Sequence, residues 1–260
     1  MEFQTVPQAS IIGMEATLGL SVLLPIILAV YTKIKRRANV LPFFIGAGIF
    51  IGFALILEQL FHMLVFKVVG DSLVNNIWIY ALYGGLAAGI FEETGRYIAM
   101  RFAMKKSLNR ANAFMYGIGH GGAEAIIIVG INALSNLMTA FMVNNGGIEA
   151  LIKAAPVEMQ EEMYASISQL WTLPSYEFHL AGIERIIAIL LQITFSLIIF
   201  KAVKTGQKKY ILGAIGLHFF VDASMVVCAN YMSVVYVEVM LALIMAVALF
   251  YANKLTENEE

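Results

Sequence analysis

The chain has little charge and almost no cysteine. Only 13% of its 260 residues are Asp, Glu, Lys or Arg, whereas 60% are hydrophobic. A soluble domain carries about 25% charged residues, so too few charges remain here to cover a water-facing surface. The single cysteine, Cys228, excludes an internal disulfide framework. A formal net charge of −1 gives no field that recruits nucleic acid, and we expect no nucleic-acid partner.

Long apolar runs take the place of the missing charge, and they predict a polytopic protein of the lipid bilayer. A transmembrane helix needs about 20 mostly apolar residues. Seven segments qualify: 9–31, 41–66, 77–101, 111–142, 177–201, 209–227 and 231–252. We therefore predict an all-α fold, in which residues 1–260 form a single membrane-embedded helical bundle of about seven transmembrane helices.

The basic residues are distributed unevenly between the two ends of these spans. The connections on one side carry thirteen of them, against Lys67 and Lys153 on the other. The thirteen are Lys33, Lys35, Arg36, Arg37, Arg101, Lys105, Lys106, Arg110, Lys201, Lys204, Lys208, Lys209 and Lys254. By the positive-inside rule, the N-terminus lies outside and the C-terminus is cytoplasmic. Residues 144–176 then form an extracytoplasmic loop, in which acidic residues among apolar ones predict short amphipathic helices.

Ionisable residues inside the spans are the main functional signal. Each charged group costs roughly 2.5–3.5 kcal/mol at the centre of a membrane helix. Four spans contain pairs at i, i+4, a spacing that places both members on one helix face. The pairs are Glu58 with His62, Glu92 with Arg96, His120 with Glu124, and His218 with Asp222. The fifth span adds the adjacent Glu184 and Arg185.

Some of these groups share one depth. Glu92, His120 and His218 each lie nine residues from the cytoplasmic end predicted for their span. At about 1.5 Å per residue, each lies roughly 13 Å from that face. Three helices therefore bring an acid and two imidazoles to one level. We call the set around them the inner cluster: Glu92, Glu93, Arg96, His120, Glu124, His218 and Asp222.

The remaining groups form an outer layer about 17 residues from the cytoplasmic ends. It contains Glu58, Glu184 and Arg185, with His62 one turn from Glu58. For these pairs a supporting structural role is the favoured interpretation, and we expect a salt bridge from Arg185 to Glu58. Glycines surround the inner cluster, in "YGGLAAG" and "YGIGHGGAEA". They permit either close helix packing or a water-filled cavity, and both readings stay open.

The inner cluster can perform two kinds of chemistry. Adjacent carboxylates facing imidazoles can activate water and move protons. The same groups can hold a divalent metal such as zinc, and the candidate ligands are Glu92, His120, Glu124 and His218. Nucleophile chemistry is less favoured, because Cys228 has no histidine within one turn and Ser224 points away from Asp222.

The motifs resemble a known superfamily of membrane proteases. "EETGR" matches the E-E-x-x-R motif of the superfamily that contains the type II CAAX prenyl endopeptidases, PrsW proteases and bacteriocin-immunity relatives. "HGGAE" and "HFFVD" match its later histidine motifs. In that order, with E-R between the last two, the motifs are most similar to the YhfC family of intramembrane metalloproteases. The resemblance covers roughly residues 85–225.

The resemblance implies proteolysis within a cell membrane, expected to be a bacterial plasma membrane. Glu92 or Glu93 would activate water, His120 would assist or bind a metal, and His218 with Asp222 would stabilise the oxyanion. Asp222 stands where prenyl endopeptidases carry Asn, so it would orient His218 or help to hold a metal instead. Tyr116 stands where the family pattern has Phe. The implied substrates are membrane proteins or lipidated peptides.

Two other classes of function use the same residues. A proton-coupled or cation-coupled transporter would employ the acids as a relay, although the sequence shows no related halves of the kind many transporters have. A non-catalytic scaffold or immunity factor would keep the pocket without using it.

Overall fold

A computed structural model describes residues 2–259, apart from the side chain of Asp71. Over this range the chain is helical and contains no strand. The helices are α1 Gln8–Arg36, α2 Leu41–Val69, α3 Ile77–Ile98, α4 Arg110–Asn144, α5 Ile148–Ala154, α6 Val157–Thr172, α7 Ser175–Thr205, α8 Lys209–Tyr231 and α9 Val234–Thr256. The all-α prediction is confirmed.

Six of these helices are long and apolar enough to cross a membrane: α1, α2, α4, α7, α8 and α9. The sequence-based expectation of a polytopic membrane protein is therefore confirmed. Helix α3 is not among the six, although its 22 residues, at about 1.5 Å each, give it the length of a span. It differs from the six because it carries Glu92, Glu93 and Arg96 within its last two turns.

Local sequence sets the limits of several helices. Pro42 stands in the first turn of α2, where the missing N–H needs no partner. Asn76 caps α3, and its side-chain oxygen accepts hydrogen bonds from the backbone N–H groups of Trp78 at 3.0 Å and Ile79 at 3.3 Å. Gly206 follows α7 with φ of 71°, a left-handed conformation that ends the helix.

The described residues divide into two compact units. The first comprises the chain as far as Leu24 together with Ala125–Ile186. Its core includes Ile11, Met14, Leu137 and Trp171, which pack with residues of α5 and α6. The segment 144–176 thus contains the two short helices α5 and α6.

The second unit comprises Pro25–Glu124 and the chain from Ile187 onward. In it, glycines let neighbouring backbones touch. A Cβ on Gly46 of α2 would lie 2.8 Å from the backbone nitrogen of His120 in α4, and one on Gly119 would lie 2.6 Å from Cα of Phe43. Gly89 of α3 meets α8 in the same way, because its Cβ would lie 2.9 Å from the carbonyl oxygen of Ile215. The structure therefore shows the close helix packing that was one of the two interpretations of these glycines.

Two of the membrane helices contain wider π-helical turns beside the inner cluster. In α2 the π-helix covers Phe50–Glu58, and in α4 it covers Ala125–Gly130, directly after Glu124. Such turns shift the register of the residues that follow them and occur often at functional sites. Here they flank Glu58 and Glu124, two of the carboxylates singled out in the sequence.

Candidate functional site

Glu92 of α3 contacts residues from two other helices. Its Oε2 atom lies 2.9 Å from Nε2 of His120 in α4 and accepts a hydrogen bond of 3.2 Å from the Gln192 amide in α7. Nη2 of Arg96 stands 3.9 Å from the same oxygen. Oε1 accepts no hydrogen bond from the residues that the structure describes, and Glu92 keeps 8% of its surface exposed. Glu92 therefore has one carboxylate oxygen fixed and one available.

Glu93 uses both oxygens and is fully buried. Its Oε2 accepts from Nε of Arg96 at 3.0 Å, and its Oε1 lies 2.9 Å from Nδ1 of His218 in α8. The His218 ring stacks on Phe195 at 4.5 Å between centroids, with the planes 6° apart. Glu93 is thus the anchor that fixes a guanidinium and an imidazole.

Arg96 is also fully buried, and its remaining donors reach α7. Nη1 donates to Oγ of Ser196 at 2.7 Å and to the carbonyl oxygen of Gln192 at 3.2 Å, while Nη2 donates to the Gln192 side-chain oxygen. A buried charge is tolerated when it is paired and hydrogen-bonded, and both conditions hold here. The guanidinium therefore ties α3 to α7.

Gln192 is a central residue that the sequence analysis missed. Its Nε2 donates to Glu92 at 3.2 Å and to Oε2 of Glu124 at 2.9 Å, while its oxygen accepts from Arg96. Because the amide donates on one side and accepts on the other, one side chain links three charged residues. An uncharged amide within a membrane span, one turn before Ser196, is the signal that could have identified it.

His120 is completely buried among rings. Phe50 meets it edge-on at 5.4 Å between centroids, and Tyr116 lies 6.1 Å away. An ionised carboxylate can only accept, so the Nε2 atom that faces Glu92 carries the proton. The Nδ1 atom is buried and has no hydrogen-bond partner within residues 2–259, as is also true of the Tyr116 hydroxyl.

Asp222 and Glu124 complete the inner cluster. Oδ2 of Asp222 lies 3.5 Å from Nε2 of His218, and its side chain is 38% exposed. Glu124 contacts the cluster through Gln192. All seven predicted residues of the inner cluster are therefore joined by direct contacts or through Gln192.

The outer-layer residues make contacts of their own. Oε1 of Glu58 lies 3.3 Å from Nε2 of His62, whose Nδ1 lies 2.5 Å from the hydroxyl of Tyr83. Arg185 donates to Glu184, its neighbour in the chain. The expected salt bridge from Arg185 to Glu58 stays a prediction.

The side chains in this arrangement do not fit a metal ion. Among the described residues, no three His, Cys, Asp or Glu side chains converge on a point that could hold one. The candidate ligands His120 and His218 face different carboxylates, Glu92 and Glu93, and an N–H group of Gln192 stands between Glu92 and Glu124. The partnerless Nδ1 of His120 has aromatic rings around it instead of further ligands.

Fold and site together define a helical membrane protein with a buried cluster of acids, imidazoles and one guanidinium. The chain belongs to the family described as YhfC intramembrane metalloprotease, whose model it matches over residues 20–251. The resemblance to this family is thus confirmed. The family's description implies a metalloprotease, whereas the donors brought together among the described residues do not form a metal site.

A relative from Bacillus subtilis (strain 168) supports the same placement. It is called "Uncharacterized membrane protein YhfC" and is 39% identical over 259 residues, which cover 96% of this chain and 97% of that protein. No solved structure matches the chain.

Proposed function

We propose that this protein is an intramembrane endopeptidase that hydrolyses peptide bonds of membrane-associated substrates. The observation that carries the proposal is the unequal environment of the two adjacent glutamates. Both carboxylate oxygens of Glu93 contact partners, Arg96 and His218, whereas Glu92 keeps its Oε1 atom available beside His120. A carboxylate held in place by one oxygen and open at the other is suited to take a proton from water.

Glu92 is the general base of the proposed reaction. It removes a proton from a water molecule, and the water oxygen attacks the carbonyl carbon of the scissile peptide. The C–N bond then breaks, and Glu92 returns the proton to the leaving amine. Proton transfer by a positioned side chain contributes typically 10²–10⁴-fold to a rate. No metal enters these steps, because the donors in this arrangement do not form a metal site.

His218 stabilises the negative charge that develops on the carbonyl oxygen. His218 is locked between Glu93 and the ring of Phe195, with Asp222 beside its second nitrogen. Donors that are fixed before the reaction cost no reorganisation during it. An ionised Asp222 donates no hydrogen bond, so its role is to orient His218. His120 orients Glu92.

The proposal also includes the number of membrane spans, the orientation in the membrane, the superfamily and the substrates. In this proposal helix α3 is the seventh membrane span, because its 22 residues have the length of a span and it carries the catalytic acids. The N-terminus is outside and the C-terminus cytoplasmic, in a bacterial plasma membrane, so the inner cluster acts near the cytoplasmic end of a substrate helix. On its motifs we assign the chain to the superfamily of the CAAX prenyl endopeptidases and PrsW proteases, with membrane proteins or lipidated peptides as its substrates.

The test compares wild type with Glu92→Gln on a broad panel of transmembrane and prenylated peptides. Glu15→Gln is the matched control, since Glu15 is an exposed acid in α1 outside the cluster. Wild type and Glu15→Gln should cleave at similar rates, and Glu92→Gln should lose roughly 10²-fold or more. Cleavage should persist after treatment with a chelator.

Four results would contradict the proposal. Equal cleavage by wild type and Glu92→Gln would show that Glu92 is not the general base. No cleavage of any peptide in the panel would contradict the protease function. Proton flux in liposomes that His120→Ala abolishes would indicate a transporter. Loss of cleavage with the chelator, restored by zinc, would replace glutamate-activated water by a metal mechanism.

A further inference from the structure

A basic pocket lies at the membrane boundary, apart from the inner cluster. It has a volume of about 520 Å³ and is lined by Lys35, Arg36, Arg37, Asn109, Arg110 and Ala111. These residues stand where α1 ends and α4 begins. Because both helices are long and apolar enough to span the membrane, the pocket lies at the level where lipid headgroups meet water.

The four cations of the pocket form no direct ion pair within the part of the chain that the structure describes. Within residues 2–259, no carboxylate lies within 4.0 Å of any of them. Arg110 is held by uncharged groups instead, with Thr256 accepting at 3.1 Å and Asn253 at 2.8 Å. Arg36 rests over the ring of Phe114 at 4.1 Å. The pocket therefore combines two arginine side chains that are held in place with four cations that no carboxylate of the described residues contacts directly.

The backbone around the pocket is fixed as well. Arg37 has φ of 54°, a left-handed conformation that turns the chain at the end of α1. The backbone N–H of Asn39 donates to Asn112 at 2.8 Å, and the Asn112 amide donates to the carbonyl oxygen of Ser107 at 2.5 Å. Asn112 is 1% exposed, so a buried side chain ties the loop after α1 to the start of α4. A site ordered in advance loses little conformational entropy on binding.

We propose that this pocket binds a phosphate group, supplied by the headgroup of an anionic phospholipid. Arginine forks match phosphate oxygens in geometry and charge, and basic pockets between membrane helices bind such headgroups. The N-terminus of α4 adds N–H groups that favour an anion. Val40 and Leu41, 39% and 64% exposed, follow the pocket residue Arg37 closely in the chain and offer an apolar surface for the acyl chains. A free phosphate ester offers the same chemistry without those chains.

The test measures the unfolding temperature of the purified full-length protein in detergent micelles. The probes are phosphatidylglycerol, phosphatidylcholine, glycerol phosphate and inorganic phosphate. The variant Lys35→Gln/Arg37→Gln removes two exposed cations of the pocket, and Lys105→Gln/Lys106→Gln removes two exposed cations outside it. Phosphatidylglycerol should stabilise wild type and the control variant, with an apparent affinity roughly tenfold or more above that of the pocket variant.

The arms of this experiment separate the possible outcomes. A shift with phosphatidylglycerol that falls as salt rises, and is absent with phosphatidylcholine, supports the proposal. An equal shift with glycerol phosphate overturns the lipid as the source and assigns the pocket to a free phosphate ester. Equal stabilisation by both lipids, or a salt-independent shift in wild type, overturns the phosphate site itself. The measurements on wild type alone test the phosphate site even if the pocket variant does not fold.

Discussion

At the scale of the residue, two neighbouring glutamates have different tasks. Successive residues on a helix are about 100° apart, so Glu92 and Glu93 face different partners. Glu93 is completely buried between Arg96 and His218, and Glu92 retains an open oxygen beside His120. The first arrangement stabilises the fold, and the second leaves a group free for chemistry.

The two glutamine substitutions should therefore separate activity from stability. Glu93→Gln removes the nearer of the two carboxylates that face the buried Arg96, at 3.0 Å against 3.9 Å for Glu92, and breaking a buried ion pair costs roughly 3–5 kcal/mol. Its unfolding temperature in detergent should fall clearly. Glu92→Gln should remain close to wild type in unfolding temperature while losing cleavage. If Glu92→Gln is the less stable of the pair, the division of roles is wrong.

In the proposed mechanism, Gln192 is a positioning residue that holds the carboxylates. Gln192→Leu removes its hydrogen bonds to Glu92, Glu124 and Arg96, and a small displacement of Glu92 should lower the turnover rate roughly 10²-fold. Gln59→Leu makes the same change at an exposed position of α2 and should have no effect. The readout is the cleavage rate at saturating substrate, together with KM. A rise in KM alone would show that Gln192 binds substrate and does not position Glu92.

At this scale the sequence predicted which ionisable groups assemble, but not how they pair. Common depth brought Glu92, His120 and His218 into one cluster. Which imidazole faces which acid depends on helix rotation, and that is set by tertiary packing. Gln192 escaped notice because an uncharged amide carries a weaker signal than a charge.

At the scale of the element, glycine contacts hold α2 against α4. Gly46 faces the backbone of α4 beside His120, whereas Gly48, two residues later, faces open space. The same substitution at these two positions should therefore act in opposite ways.

Gly46→Ala should destabilise the protein by roughly 1–3 kcal/mol, because the added Cβ forces two backbones apart. It should also lower the cleavage rate, since the nearest backbone nitrogen is that of His120. Gly48→Ala should be neutral or stabilising by roughly 0.5–1 kcal/mol, because alanine favours the helix. Thermal unfolding of both variants in detergent checks this. Similar behaviour of the two would show that α2 and α4 do not pack so closely.

The helices themselves were largely predictable, because apolar length determines a membrane span. The π-helical segment Phe50–Glu58 was not, since nothing in its apolar sequence distinguishes it from an α-helix. Which helices pack against one another also could not be predicted. Glycine patterns showed that close contacts would form, but not that Gly46 meets α4 and Gly89 meets α8.

At the scale of the whole molecule, the distribution of basic residues predicts the orientation in the membrane. Cys228 is the only cysteine, so the variant Cys228→Ala has no thiol. Single cysteines can then be introduced into this variant at chosen positions. In intact cells an impermeant thiol reagent should label Lys153→Cys in α5, an exposed position, and should not label Lys105→Cys. Lysed cells, in which both positions should react, provide the control. The opposite labelling pattern would reverse the topology.

The central claim is that Glu92 activates water for peptide hydrolysis at the depth of the inner cluster. Its most direct test is to map the new termini by mass spectrometry after a transmembrane substrate is incubated with the enzyme in liposomes. Wild type should cut within the substrate's membrane-embedded segment, near its cytoplasmic end, and Glu92→Gln should give no such product. Cuts confined to the water-exposed flanks, or the same internal products from Glu92→Gln, would contradict the account.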